Sequence, residues 1–253
     1  DALPWPDRIA LERALAEHQA EHQPRIENGT PTLGDAARFD GRGARLAVDG
    51  GAREVEIGLA AMGREGAMRE LGVAPAATTA GPEVRIARAA GVVEWWRSLP
   101  SGLEQGVTID ERPEGEGTLR LEMTTGSGVS PELASADEVV VRDASGAVVA
   151  RYAHLVVLDA SGEHVPARLA VRGERILIDV DDAAARYPLV VDPLVTTEEA
   201  RLLASDRAEQ DTFGYSVALS SDASRALVGA PFDDTPGGMN AGSAHVFVRL
   251  GVG

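Results

Sequence analysis

The chain has 253 residues, 44% hydrophobic and 25% charged, which suits one large β domain or two ordinary ones and excludes wholesale disorder. Its formal net charge of −16 repels phosphate backbones and anionic lipid, so a nucleic-acid partner is not expected. It contains no cysteine, which removes disulfides, thiolate metal sites and cysteine nucleophiles from consideration.

Residues 6–22, "PDRIALERALAEHQAEH", read as a short amphipathic helix with Pro6 and Asp7 at its start and Ile9, Leu11 and Leu15 on a narrow apolar stripe. "ENGTPTLGD", 27–35, is turn chemistry and is assigned to a linker, so residues 1–35 form an N-terminal helix and linker. From Phe39 the period changes. Strand-like runs flank Asp49-Gly50-Gly51, Pro113-Glu114-Gly115-Glu116-Gly117, and two Asp-Ala-Ser-Gly turns at 143–146 and 159–162. Strands at this spacing predict a β-sandwich-like domain over residues 36–197, ending in a strand limited by Pro188 and Pro193. Trp95 and Trp96 place one ring on each face of a strand, one for the core and one for an exposed platform or an inter-domain contact.

Residues 198–253 carry "FGYSVALSSDASRALVGAP", followed by "AGSAHVFVR". Tyr215, Val217 and Leu219 alternate with small residues as on a half-buried strand; "RALVGAP" and "SAHVFVRL" supply two more strands. Gly214 and Gly229 permit close backbone approach, and Pro231 ends the second strand.

"GVVEWWRSLPSGLEQGVTI" at 91–109 and "ARYPLVVDPLV" at 185–195 resemble segments that bracket a β-rich N-terminal region of large exported bacterial proteins. FG-GAP repeats, the β-propeller repeats of integrin α subunits, often follow that region. Phe213, Gly214, Gly229, Ala230 and Pro231 match the repeat's name motif. The resemblance implies a mainly β chain, a sandwich-like region leading into one blade of a propeller, and further blades in the native chain, since a propeller needs about 4–8. It also implies secretion or cell-surface display, with a leader removed ahead of Asp1, and a protein or glycan as ligand. No apolar run approaches the ~18 residues that a membrane-spanning helix needs, and no membrane insertion is expected.

Integrin-type repeats often hold calcium between the FG and GAP strands. Here that loop, 220–225, has Asp222 as its sole carboxylate, short of the six to eight oxygens that calcium takes. The next loop offers Asp233, Asp234 and Asn240 as calcium ligands, with a solvated loop as the plainer reading. "HQAEH", 18–22, fits a zinc-peptidase pattern, but it lies on a polar segment without a third ligand and reads as a solvated helix face. Asn28-Gly29-Thr30 fits a glycosylation sequon and reads as a turn; His154 reads as structural. No catalytic residue is assigned. The expected function is a non-enzymatic extracellular recognition, adhesion or scaffold module. The alternatives are a hydrolase of extracellular polymer using acids such as Glu94, Glu104 or Asp110 in a cleft, and a calcium-dependent binder.

Overall fold

The computed structural model describes residues 5–17, 19–49, 51–64, 66–197, 202–204, 208, 211–220, 225–235 and 238–248. Two compact units result, Asp1–Glu199 and Ala200–Gly253.

The first unit opens with helix α1 (Trp5–Ala16) and a single 3-10 turn at Ala20–His22. Strands β1 (Pro24–Glu27), β2 (Thr30–Leu33), β3 (Ala37–Asp40), β4 (Gly43–Val48), β5 (Arg53–Gly63) and β6 (Arg69–Glu70) then build most of one antiparallel sheet. The chain crosses to a second sheet for β7 (Ala77–Ala80), β8 (Glu83–Ala89), β9 (Val92–Leu99) and β10 (Gly102–Ile109), and back to the first for β11 (Leu119–Thr124). It crosses again for β12 (Val129–Ser135), β13 (Glu138–Asp143) and β14 (Val148–Leu158), returns for β15 (Ala167–Arg172) and β16 (Arg175–Val180), and ends in the second sheet with β17 (Leu189–Thr197). The first sheet runs β1-β2-β3-β4-β5-β11-β16-β15, with β6 beside β5; the second runs β12-β13-β14-β17-β10-β9-β8-β7. The unit is thus the expected sandwich, and no closed barrel or propeller forms among the described residues.

Period-two patterning explains the layers. Val55, Ile57 and Leu59 of β5 and Leu119, Leu121 and Met123 of β11 share one buried cluster with Val107 and Ile109 of β10 and Val191 of β17. Phe39 meets Trp96 across this core at 5.8 Å between ring centres. On the opposite face of β16, Asp179 accepts from Arg120 and Arg168 of the flanking strands. Glu122 of β11 likewise accepts from Arg172 and Arg175.

Several local expectations are corrected. The helix ends at Ala16 and not at 22, because the Gln23 side chain donates to the carbonyls of Ala16 and Glu17 and so caps it. The segment assigned to a linker is a hairpin: β1 pairs with β2 about Asn28 (φ 50) and Gly29 (φ 81), the positive dihedrals of a tight hairpin turn. The Pro113–Gly117 segment joins no hairpin, since β10 and β11 lie in different sheets. Pro193 does not limit the last strand either; β17 runs through it between two neighbours. A central proline leaves a ladder bond unmade. Strand β14 bulges there: Ala153 pairs with Leu194 and Val156 with Asp192, so His154 (φ 54) and Leu155 stand opposite Pro193. Both Asp-Ala-Ser-Gly segments are turns, with Asp143 accepting from the Ser145 and Ala147 N–H groups and Asp159 from those of Ser161 and Glu163.

The second unit is one antiparallel sheet of β18 (Ser216–Leu219), β19 (Arg225–Ala230) and β20 (Ser243–Val248) in that order. Ala226, Val228 and Ala230 are its buried residues on β19. The half-buried strand expected at 215–219 is instead exposed, with Val217 at 61% and Leu219 at 67%.

Candidate functional site

On its outer face the second sheet of the first unit carries a cleft. Ile9 and Ala16 of α1 pack with Leu99 of β9 and Leu194 of β17, which seats the helix on that face. One turn of α1 past Ile9, Arg13 reaches the sheet. Its Nε and Nη2 donate to Glu104 Oε1 of β10, at 2.9 and 2.6 Å, and Nη2 also binds Asp192 Oδ2 of β17. The two acids stand on adjacent strands, since β10 pairs with β17 and Glu104 lies opposite Leu194. Beside them opens a cavity of about 120 Å³ whose lining includes Arg13, Glu104, Asp192, His154 and His164. His154 reaches this rim because the β14 bulge opposite Pro193 turns the strand there.

Burial, and then the Glu104 charge, push the Asp192 carboxyl up to about 7, against the pull of Arg13. Behind Glu104, Arg97 of β9 approaches its Oε2 to 3.8 Å while donating to Glu83 at 2.8 Å.

The three acids named from the sequence are not brought together. Glu94 points into the sandwich, fully buried, where Arg88, Gln105, Trp96 and the Leu59 N–H all donate to it. The Tyr152 hydroxyl extends this network by donating to Gln105 at 2.7 Å. Glu104 lies on the opposite face, in the cleft. Asp110 is exposed just beyond β10, its N–H bonded to the Gly91 carbonyl. Asp192, which sequence reasoning passed over, is the partner Glu104 acquires; its signal is one acid inside the apolar run 189–195. Trp96 is core as expected, but Trp95 is no open platform: it is 8% exposed, and its ring lies so close over Gly106 that a Cβ there would sit 1.9 Å from it. His22 is held by Ser98 at 2.8 Å, and the helix stops short of it, so the expected helical His-Glu-His face does not form; His18 and the Glu21 side chain lie outside the described residues.

A second buried cluster braces the entry to β17. Arg64 binds Asp182 through two bonds of 2.9 and 2.8 Å, the Tyr187 hydroxyl donates to Asp182 at 2.6 Å, and Arg112 stacks over the Tyr187 ring at 5.4 Å. Burial raises the Asp182 carboxyl, but the bonds from Arg64 and Tyr187 and the charges of Arg64 and Arg112 outweigh it and hold it below the usual range.

In the second unit the five motif residues are scaffold. The Gly214 N–H donates to the Gly229 carbonyl at 3.1 Å, tying the first half of the motif to the second. Phe213 meets His245 and Phe247 edge-on, at 5.4 and 6.0 Å. A Cβ on Gly229 would sit 2.6 Å from Ser216 Oγ. Ala230 is buried, and beyond Pro231 the Asp233 N–H turns back to the Ala230 carbonyl. Of the proposed calcium ligands, Asp234 accepts from the Asn240 N–H at 2.8 Å, and Asp233 is buried with Oδ2 lacking a hydrogen-bond partner. No group of three or more acidic or histidine side chains able to hold a metal occurs among the described residues. Asp222 lies outside the described residues.

Residues 196–247 match the family model of the FG-GAP repeat. That segment of the chain is similar to an FG-GAP repeat. The matched span holds all three strands of the second unit up to Phe247, so the repeat's glycines and Phe213 are the contacts just described. No curated protein and no solved structure matches the chain.

Proposed function

We propose that the protein is a non-enzymatic recognition or scaffold module of an extracellular or cell-surface assembly. The FG-GAP repeat over 196–247 carries this reading, together with the state of its strands. Val217, Leu219, Val246 and Val248 are each more than half exposed. Repeat units bury such faces against neighbouring copies, so further blades of the native chain are the partners expected on this sheet. The loops of the assembled blades would then present a protein or glycan site on a rigid frame. Calcium held by Asp233, Asp234 and Asn240 is a subordinate element of this proposal; the chemistry asks for several more oxygens than these three side chains supply.

The hydrolase reading gains little from the cleft. Glycosidase carboxyl groups stand about 5–9.5 Å apart with substrate or water between them. Glu104 and Asp192 instead bind the same Arg13 nitrogen, which fills the place a scissile bond would take.

Antibody against this chain should label intact source cells without permeabilisation, and the native chain should bind a glycan or matrix-protein array saturably. Labelling that appears only after permeabilisation would overturn the proposal.

A further inference from the structure

We propose that the open edge of β7 is a strand-addition site that takes up one extended segment of a partner protein, with aliphatic residues at alternate positions. The inference rests on the first unit alone and goes beyond the reading of the FG-GAP repeat. Sheet edges invite pairing, and folded chains protect them with charge, proline or bulges. The other outer strands of this unit are protected in this way. Strand β1 carries Pro24, Arg25 and Glu27, β6 is Arg69-Glu70, and β15 carries Arg168 and Arg172. Strand β12 carries Pro131, Glu132 and a register shift after Leu133. Strand β7 is Ala77-Thr78-Thr79-Ala80 and has none of these. It forms a hairpin with β8 about Gly81 (φ 58) and Pro82, so Ala80 and Glu83 are the hydrogen-bonded closing pair. Ladder alternation then turns the N–H and C=O groups of Ala77 and Thr79 to the open side, where no described strand pairs with them.

A second feature lies over that edge. Strand β2 packs against β7 and β8, so β1, one strand further out, projects past β7. Ile26 of β1 pairs with Pro31, which is buried and shares its face with the core residue Leu33, yet Ile26 itself is 57% exposed. Ala77 and Thr79 pair with Ile86 and Val84 of β8, both fully buried, and so face the same inner layer. A strand added to β7 therefore lies beneath Ile26 and covers it. The gap is one strand wide. On its inner layer stand Pro24, Ile26, Ala77 and Thr79, none of them charged. Arg25 and Glu27 alternate to the other face of β1, and Arg85 is paired with Glu83 on the other face of β8. The segment that fits thus has aliphatic side chains opposite Ala77 and Thr79 and a polar one between them, with main-chain bonds supplying the rest. A second copy of the chain does not fit, because pairing β7 with β7 about a two-fold axis would drive the projecting β1 of each copy into the same space.

Amide hydrogen exchange of the full chain by nuclear magnetic resonance, with and without the neutral peptide Ac-Ser-Val-Thr-Val-Ser-NH2, tests this. At saturation the Ala77 and Thr79 amides should exchange at least tenfold more slowly while those of Thr78 and Ala80 stay unchanged, the alternation that a strand paired on the open side produces. The same peptide methylated on both valine nitrogens lacks the donors that face β7 and should give no protection. Thr79→Pro removes the outward N–H, leaves the bonds of Thr78 and Ala80 to β8 in place, and should abolish binding. Ile26→Ser alters no backbone group and should weaken binding at least threefold, which keeps the test decisive if the proline variant folds poorly. Protection spread equally over all four amides, no protection at the highest soluble peptide concentration, or binding that survives both variants overturns the proposal. So does a concentration-dependent dimer of the peptide-free chain that Thr79→Pro dissolves, since a second copy would then occupy the edge.

Discussion

Asp182 is a buried carboxylate and Asp192, ten residues on, a largely buried one, and desolvation opposes ionisation in both. At Asp182, Arg64 and the Tyr187 hydroxyl win, and the carboxyl stays below its ordinary range. At Asp192 the Arg13 guanidinium is shared with Glu104, and the carboxyl rises to about 7. The two residues therefore bend the stability curve in opposite senses. A depressed carboxyl contributes stability above its unfolded pKa and loses it as pH falls through the folded value. A raised one contributes fully below its unfolded pKa, about 3.9, and loses that contribution as pH rises to the folded value. Urea unfolding of the first unit should thus show stability falling in acid below about pH 4 through Asp182 and Asp179, and falling again as pH rises between about pH 4 and 7 through Asp192. The second decline should reach at most about 4 kcal/mol. In Asp192→Asn it should vanish while the acid limb persists; an unchanged neutral limb would mean that Asp192 is not the titrating group. The core pair Arg88–Glu94 offers a second comparison, with both side chains essentially inaccessible. Arg88→Met leaves the Glu94 charge buried without its cation and should cost about 3–5 kcal/mol, read as a lowered urea midpoint.

At the scale of elements, the β9–β10 hairpin shows why a short stretch of sequence must be what it is. Glu104, Gln105 and Gly106 each face a different demand. Glu104 meets Arg13 on the outer face, Gln105 joins the core network with Glu94 and Tyr152, and Gly106 leaves room for the Trp95 ring. Gly106→Ala should cost about 1–3 kcal/mol through overpacking against Trp95. Adding Trp95→Leu should make the pair less damaging than the sum of the single changes; strict additivity would deny the contact. Strands and their turns were legible because period-two patterning and glycine or aspartate punctuation are local signals. The hairpin at Asn28-Gly29 is hidden because its strands are short and sparse in apolar residues, so that its turn chemistry reads as part of a linker. The sequence overextends helix α1 because its stop comes from the Gln23 side chain and not from a proline or glycine. The cleft was half legible. Glu104 stood out as one acid in a strand, but its pairing with Asp192, some ninety residues away, depends on β10 and β17 being neighbours, and no periodicity encodes that adjacency.

For the molecule as a whole, the two units are stabilised very unequally. The first encloses one extensive apolar cluster fed by both of its sheets and is pinned by the buried pairs Arg88–Glu94 and Arg64–Asp182. The second, a three-stranded sheet, leaves all of β18 exposed and every second residue of β20 exposed. Local opening free energy follows buried apolar contact, and a small sheet whose strands bury only Ala226, Val228 and Ala230 gains little of it. Native-state hydrogen exchange should therefore show β19 amides exchanging at least ~100-fold faster than those of β10 and β17, a gap of about 2.7 kcal/mol in opening free energy. Adding FG-GAP blades on both faces of the sheet should slow exchange in β18–β20 and leave β10 and β17 unchanged, because neighbours add burial only where Val217 and Leu219 on one face, and Val246 and Val248 on the other, now meet solvent. Protection of β19 equal to that of β10 without such a neighbour would show that the repeat is complete as a single blade, and the proposal of flanking blades would then lose its physical basis.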